Sequence, residues 1–131
     1  MKLVFTGISV MWLGVVMALS LMSISYNEVS LFSNSDKAVH FIMYGILTIF
    51  VLSRMQLEEH VSQQVVILVS VSLVIVLGGV LEIAQGLFTV SRQASFWDFT
   101  ANGLGAVVAA MVHKKWLWNA IGRNFMVSIA K

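Results

Sequence analysis

The chain has 131 residues, of which 59% are hydrophobic and only 11% charged, with a formal net charge of +2. A water-soluble domain carries about a quarter charged residues, so this composition excludes a soluble globule: there is too little polar surface to coat one. The lack of cysteine excludes disulfides and thiolate metal sites, and the lack of proline removes the usual cause of helix kinks.

No stretch rich in Pro, Gly or Ser divides the sequence, which reads as one domain over 1–131. The first apolar run extends from Leu3 to about Ile24, and a bilayer crossing takes ~20 residues. Lys2 followed by such a run also fits a cleaved secretion signal. The run is longer than the usual core of about 7 to 15 residues, and Ala18-Leu19-Ser20 is only a fair cleavage site, so a retained span is expected. The second run begins at Asp36 or Ala38 and reaches Leu52, crossing if Asp36, Lys37 and Arg54 sit in the headgroup zones. The third runs from about Val65 to Phe88. Its many β-branched residues suit a strand in water, but a lone run of this length in lipid must satisfy its backbone internally as a helix. The fourth runs from about Phe96 to Val112, with Ser95 at the N-cap and Asp98 three residues on, a carboxylate variant of the capping box. The fold class is therefore all-α, an integral membrane bundle of about four transmembrane helices.

With four spans, Lys2, Arg54, Lys114, Lys115, Arg123 and Lys131 fall on one side and only Lys37 and Arg92 on the other. The positive-inside rule makes the first side cytoplasmic, with both termini inside. Trp116 and Trp118 fit an interfacial belt on that side, Tyr26 and Trp97 on the opposite one. Over 114–131 the cations Lys114, Lys115, Arg123 and Lys131 lie among Leu117, Ile121, Phe125, Met126 and Ile129 with no acid, the composition of an in-plane amphipathic helix on anionic lipid. An exposed tail is the plainer alternative. The basic balance is explained by this sidedness, and nucleic acid is not an expected partner.

The same topology gathers the chemistry-bearing residues at the outer end. Asp36, His40 and Tyr44 recur at i, i+4 and i+8 along one face of the second helix. Glu82 and Gln85 share a face of the third, and Asp98 and Asn102 a face of the fourth, with Arg92 in the loop between them. Lipid-facing charges are costly, so these stripes should turn inward and meet. One reading is structural glue, with Glu82 or Asp98 paired to Arg92 or Lys37. The concentration of three carboxylates, a histidine, a tyrosine, amides and two cations at one end favours a ligand-facing site instead.

Asp36-Lys37-x-x-His40-Phe41-x-x-Tyr44, Glu82-x-x-Gln85 and Arg92-x-x-Ser95-x-x-Asp98-x-x-x-Asn102-x-x-Gly105 resemble the VanZ-like family of membrane proteins, over Asp36 to about Ala109. A small position often occupied by glycine near the end of the fourth helix is Ala109 here, which bears on packing. The resemblance implies the bacterial cytoplasmic membrane and an envelope role. The family takes its name from a member associated with resistance to the glycopeptide teicoplanin, and the resemblance supplies no reaction.

Two function classes follow. In the first, the pocket binds an envelope lipid or lipid-linked headgroup: Lys37 and Arg92 meet its anionic part, while His40, Tyr44, Gln85 and Asn102 select it by hydrogen bonds. In the second, it is an active site on a lipid-phosphate substrate. There His40 or Glu82 is the general base, Asp98 or Asp36 its orienter, and Arg92 stabilises developing charge. No nucleophile stands out. Asp36, His40, Glu82 and Asp98 supply oxygen and imidazole ligands in principle, but no metal and no cofactor is expected. Membrane lipids are the expected partners, and a homo-oligomer is compatible with the composition.

Smaller signals concern packing. Gly78-Gly79 and Gly103-x-Gly105 with Ala106, Ala109 and Ala110 give smooth surfaces for close helix approach. Asp36-x-x-x-His40 and Asp98-x-x-x-Asn102 echo one another between the second and fourth helices, one shared spacing that does not establish a repeat. His60 and His113 read most simply as interfacial. The eight methionines read as packing rather than a metal channel.

Overall fold

The computed structural model describes residues 1–21, 35–58, 60–89, 93–118 and 120. All regular structure among them is helical: α1 (Lys2–Leu21), α2 (Ser35–Met55), α3 (Gln63–Phe88) and α4 (Phe96–Val112), with a π-helical turn (His113–Leu117) continuing α4. Three of these, α1, α2 and α3, are long and apolar enough to cross a membrane. Tyr26, Arg92, Arg123, Lys131 and the outer part of the expected first loop lie outside the described residues, as does most of the expected in-plane tail.

Capping chemistry fixes several boundaries. Ser62 caps α3, its hydroxyl accepting from the Val65 N–H at 3.4 Å, so the helix starts two residues earlier than hydropathy alone suggests. At the far end the Thr89 N–H and hydroxyl both donate to the Gln85 carbonyl, at 3.1 and 2.8 Å. The α2–α3 loop turns through His60, which is exposed with φ 70° in the left-handed region.

Cross-links between helices set the topology. At one end Lys2 Nζ reaches Glu58 at 3.3 Å and Arg54 Nε donates to the Thr6 hydroxyl at 2.9 Å, so α1 begins where α2 finishes. Arg54 also pairs with Glu58. At the other end Gln85 Nε2 donates to the Ser20 carbonyl at 2.8 Å, which brings the end of α3 to the end of α1. Midway, Trp12 Nε1 donates to the Met43 carbonyl at 3.0 Å and holds α1 on α2. The bundle therefore runs up, down, up, down, and α2 and α4 are parallel.

The α2–α4 seam is the closest in the bundle, and small residues are the reason. A Cβ on Gly105 would overlap the Phe41 carbonyl oxygen and stand 3.1 Å from the Phe41 Cα. Gly45 faces the Gly105 carbonyl and Ala109 in ordinary contact. Gly78 of α3 admits Tyr44 and Asn102, whose atoms would lie 3.1 and 3.2 Å from an added Cβ. Gly103, by contrast, has open space beside it, so only part of the glycine-rich stretch serves packing.

The core is apolar at the bundle centre, where Val16, Met43, Tyr44, Leu47, Val74, Leu81 and Ala106 pack together. A second cluster of Leu52, Val66 and Ala110 lies toward the Lys2 end. Outward, Leu3, Val10, Leu68, Leu73, Val76, Ile83 and Leu87 are exposed. An apolar surface so continuous is an aggregation hazard in water and a normal lipid contact in a bilayer.

His113 departs from its sequence reading as an interfacial residue. It is fully buried, its Nε2 hydrogen-bonded to the Ser53 hydroxyl at 3.1 Å, and it opens the π-helical turn. Swallowing the ring between α2 and the Trp118 indole is compatible with the widened turn, since an extra residue per turn shifts side chains around the helix axis.

Candidate functional site

At the Ser20 end of the bundle the parallel α2 and α4 bring their polar stripes face to face. His40 is 3% exposed, and its Nδ1 lies 3.0 Å from Asn102 Oδ1. A carbonyl oxygen only accepts, so Nδ1 carries the proton and donates. The other ring nitrogen, Nε2, lies 3.9 Å from Asp36 Oδ1 one turn earlier on α2 and carries a lone pair when the ring is neutral. Ligating atoms of Asp36, His40 and Asp98 all lie within 4.8 Å of one another.

Asp98 reaches this position because its expected capping task is taken by another residue. Ser95 caps α4 as its spacing implies, its hydroxyl accepting from the Asp98 N–H at 3.3 Å. The reciprocal half of a capping box would use the Asp98 carboxylate to accept from the Ser95 N–H. Glu82 of α3 does so instead, its Oε1 accepting from that N–H at 2.5 Å. The Asp98 side chain is thereby released to turn toward α2. It is 7% exposed, and its Oδ1 is buried without a hydrogen-bond partner.

Tyr44 extends the stripe one turn below His40, its ring parallel to the imidazole with centroids 6.3 Å apart, and it is 1% exposed. It meets Ser20 of α1, a residue sequence reasoning did not single out. Buried small hydroxyls in an apolar helix are the only signal that would have found it. Asn102 is likewise fully buried, and its Nδ2 has no partner.

The sequence-predicted residues thus divide. Asp36, His40, Asp98 and Asn102 converge. Tyr44 lies beneath them. Glu82 stands near Asp98, His40 and Asp36, yet one of its oxygens is committed to the Ser95 backbone. Gln85 is committed to tying α3 to α1. Lys37 makes no ion pair among the described residues, so the pairing of Lys37 with Glu82 or Asp98 that the alternative of structural glue invoked is not formed there. Arg92 lies outside them.

Beside the cluster a shallow groove of about 290 Å³ opens on the flank of the bundle between α3 and the start of α4. Gly79, Ile83, Ala94, Phe96 and Phe99 make its walls apolar, and Glu82 and Ser95 form its polar part. The glycine matters here: a Cβ at Gly79 would stand 3.3 Å from the Phe99 ring.

Chemically, the arrangement offers an imidazole held by Asn102, two carboxylates beside it, and a third carboxylate bordering an apolar groove. That set can hold a cation, hydrogen-bond an amine or hydroxyl, or move a proton through His40. Compared with protein families, curated proteins and solved structures, the chain gives no match.

Proposed function

We propose that this chain is a bacterial cytoplasmic-membrane protein of four spans, with both termini inside, whose outward-facing polar site binds or positions an envelope lipid or lipid-linked headgroup. Four spans require α4 to cross with the other three; its 17 residues, continued by the π-helical turn, cover most of a hydrocarbon core. Sidedness rests on the cation bias, since Lys2, Arg54, Lys114 and Lys115 gather at the end opposite His40.

The observation that carries the reading is the convergence of Asp36, His40 and Asp98, linked through Ser95 and Glu82 to a groove with mostly apolar walls. A headgroup docked on the polar cluster leaves its acyl chains a route along Phe96, Phe99 and Ile83 without crossing the packed core. The resemblance to VanZ-like proteins agrees with an envelope ligand and suggests an influence on glycopeptide susceptibility. Arg92, between α3 and α4 in the sequence, is the cation this reading assigns to the anionic part of the headgroup.

One observation favours a second reading, an enzyme acting on a lipid-phosphate or related substrate. Asn102 fixes the tautomer of His40 and leaves Nε2 free as a base, the geometry general acid–base catalysis requires.

Lipid analysis of the protein extracted in patches of its native membrane tests the proposal. The wild type should be enriched in one envelope lipid relative to the bulk membrane, and Arg92→Ala should lose that enrichment. Identical bulk-like lipid in both would refute a headgroup site.

A further inference from the structure

Two carboxylates and an imidazole converge around one point, and the carboxylates repel each other unless a positive charge lies between them. Asp98 makes the problem acute. A carboxylate oxygen withdrawn from water without a hydrogen-bond donor is costly, and Asp98 Oδ1 is in that state inside a side chain that is 7% exposed. Lys37 is adjacent in sequence but makes no ion pair with either carboxylate among the described residues.

We propose that Asp36, His40 and Asp98 form a binding site for a divalent cation of the Mn²⁺ or Zn²⁺ class. This reverses the sequence expectation of no metal and goes beyond headgroup binding, since the site stands on its own geometry. Two donors bound to one such ion at about 2.1 Å stand at most about 4.2 Å apart. His40 Nε2 and Asp36 Oδ1, at 3.9 Å, are already within that limit. The whole cluster, within 4.8 Å, needs a contraction of under about 1 Å to share an ion. Asp36 supplies that freedom, because its side chain is 48% exposed at the start of α2.

The surroundings match those of metal-bound histidines. Such a ring usually donates its second N–H to a carbonyl or carboxylate, which fixes the tautomer and strengthens the ligand. Asn102 Oδ1 accepts that bond from His40 Nδ1. One imidazole and two carboxylates are hard to intermediate donors, suited to Mn²⁺ and Zn²⁺ rather than to a soft ion. Three protein ligands leave coordination positions open. An anionic headgroup phosphate is the chemistry that would fill them, and that last step alone rests on the headgroup reading.

The probe is Mn²⁺ alone, added to the full chain in phosphatidylcholine nanodiscs, with protein-free discs as the blank. Loss of the free-ion electron paramagnetic signal counts bound ions, and electron spin-echo modulation reports a nitrogen ligand. The wild type should bind saturably, approaching one Mn²⁺ per chain, with imidazole nitrogen modulation. Asp98→Asn should weaken binding at least tenfold. Asp36→Asn, at a half-exposed position that leaves the core packing untouched, should also weaken it, which covers the case in which Asp98→Asn fails to fold. His40→Gln should abolish the nitrogen modulation although His60 and His113 remain. Binding no greater than to empty discs, or binding unchanged in Asp36→Asn, would overturn the site; a protonated His40 would then be the cluster's cation. If Mn²⁺ binds as expected while wild type and Arg92→Ala both carry only bulk-like lipid, the ion site stands and the headgroup reading falls.

Discussion

His40 and Asn102 are 62 residues apart and joined by a hydrogen bond of 3.0 Å, and the same interval of 98 − 36 = 62 separates Asp36 from Asp98. The parallel α2 and α4 thus run in register, so that Asp36 and Asp98, each one turn before a partner in this bond, both come within 4.8 Å of the imidazole. Interhelical polar pairs in membranes average about 0.6 kcal/mol and reach about 1.7. A double-mutant cycle of His40→Ala and Asn102→Ala, read by unfolding in mixed micelles, should give a coupling within that range. Additive effects would mean that the bond contributes nothing to the seam.

The close approach of α2 and α4 makes a sharp distinction between two neighbouring glycines. Gly105→Ala forces a methyl group into the Phe41 backbone and should destabilise the bundle by about 1 to 3 kcal/mol. Gly103→Ala meets open space and should be neutral within about 0.5 kcal/mol or slightly stabilising, because alanine favours helix. Thermal unfolding of the two variants side by side checks both.

At the Lys2 end, Arg54 first and Lys2 second hold the Glu58 carboxyl below its ordinary value of 4.5 by hydrogen bonding and charge. A carboxylate with a depressed folded-state pKa adds stability above its unfolded value and loses it as pH falls through the folded one. Wild type should therefore exceed Glu58→Gln in unfolding temperature at pH 7, with the difference shrinking once the pH drops below about 4.5. A difference that stays constant to pH 3 would contradict the ion cluster. The Glu58 side chain is 37% exposed, so the effect should be small and weakened by salt.

Sidedness is open to direct labelling because the chain has no cysteine. Gln93→Cys should react with a membrane-impermeant maleimide in whole cells, and Ser62→Cys only after the membrane is opened. Labelling of Ser62→Cys from outside would turn the polar site toward the cytoplasm.

Much of this arrangement was legible in the residues. Hydropathy marked the four helices, and Ser95 marked the start of α4. Periodicity brought Asp36, His40, Tyr44, Asp98 and Asn102 onto facing stripes, and the echoed spacing of α2 and α4 is now explained by their parallel register. What the sequence could not show was competition for partners. Asp98 looked like half of a capping box, and only the approach of Glu82 from α3 frees it. Gln85 looked like a ligand-selecting amide, and its donor goes to the Ser20 carbonyl. His113 beside Lys114 looked interfacial, and the pairing with Ser53 that buries it depends on a helix crossing 60 residues away. Each of these is a long-range contact, invisible to local pattern.

The central claim is that the cluster around His40 holds a ligand rather than merely gluing helices together. Native mass spectrometry of the chain released from native membrane tests it most directly, comparing wild type with His40→Gln/Asp98→Asn. One retained envelope lipid per wild-type chain is expected, lost from the double variant while its unfolding temperature shows that the bundle persists. A double variant that keeps the same lipid, or a wild type that carries only bulk phospholipid, would contradict the account.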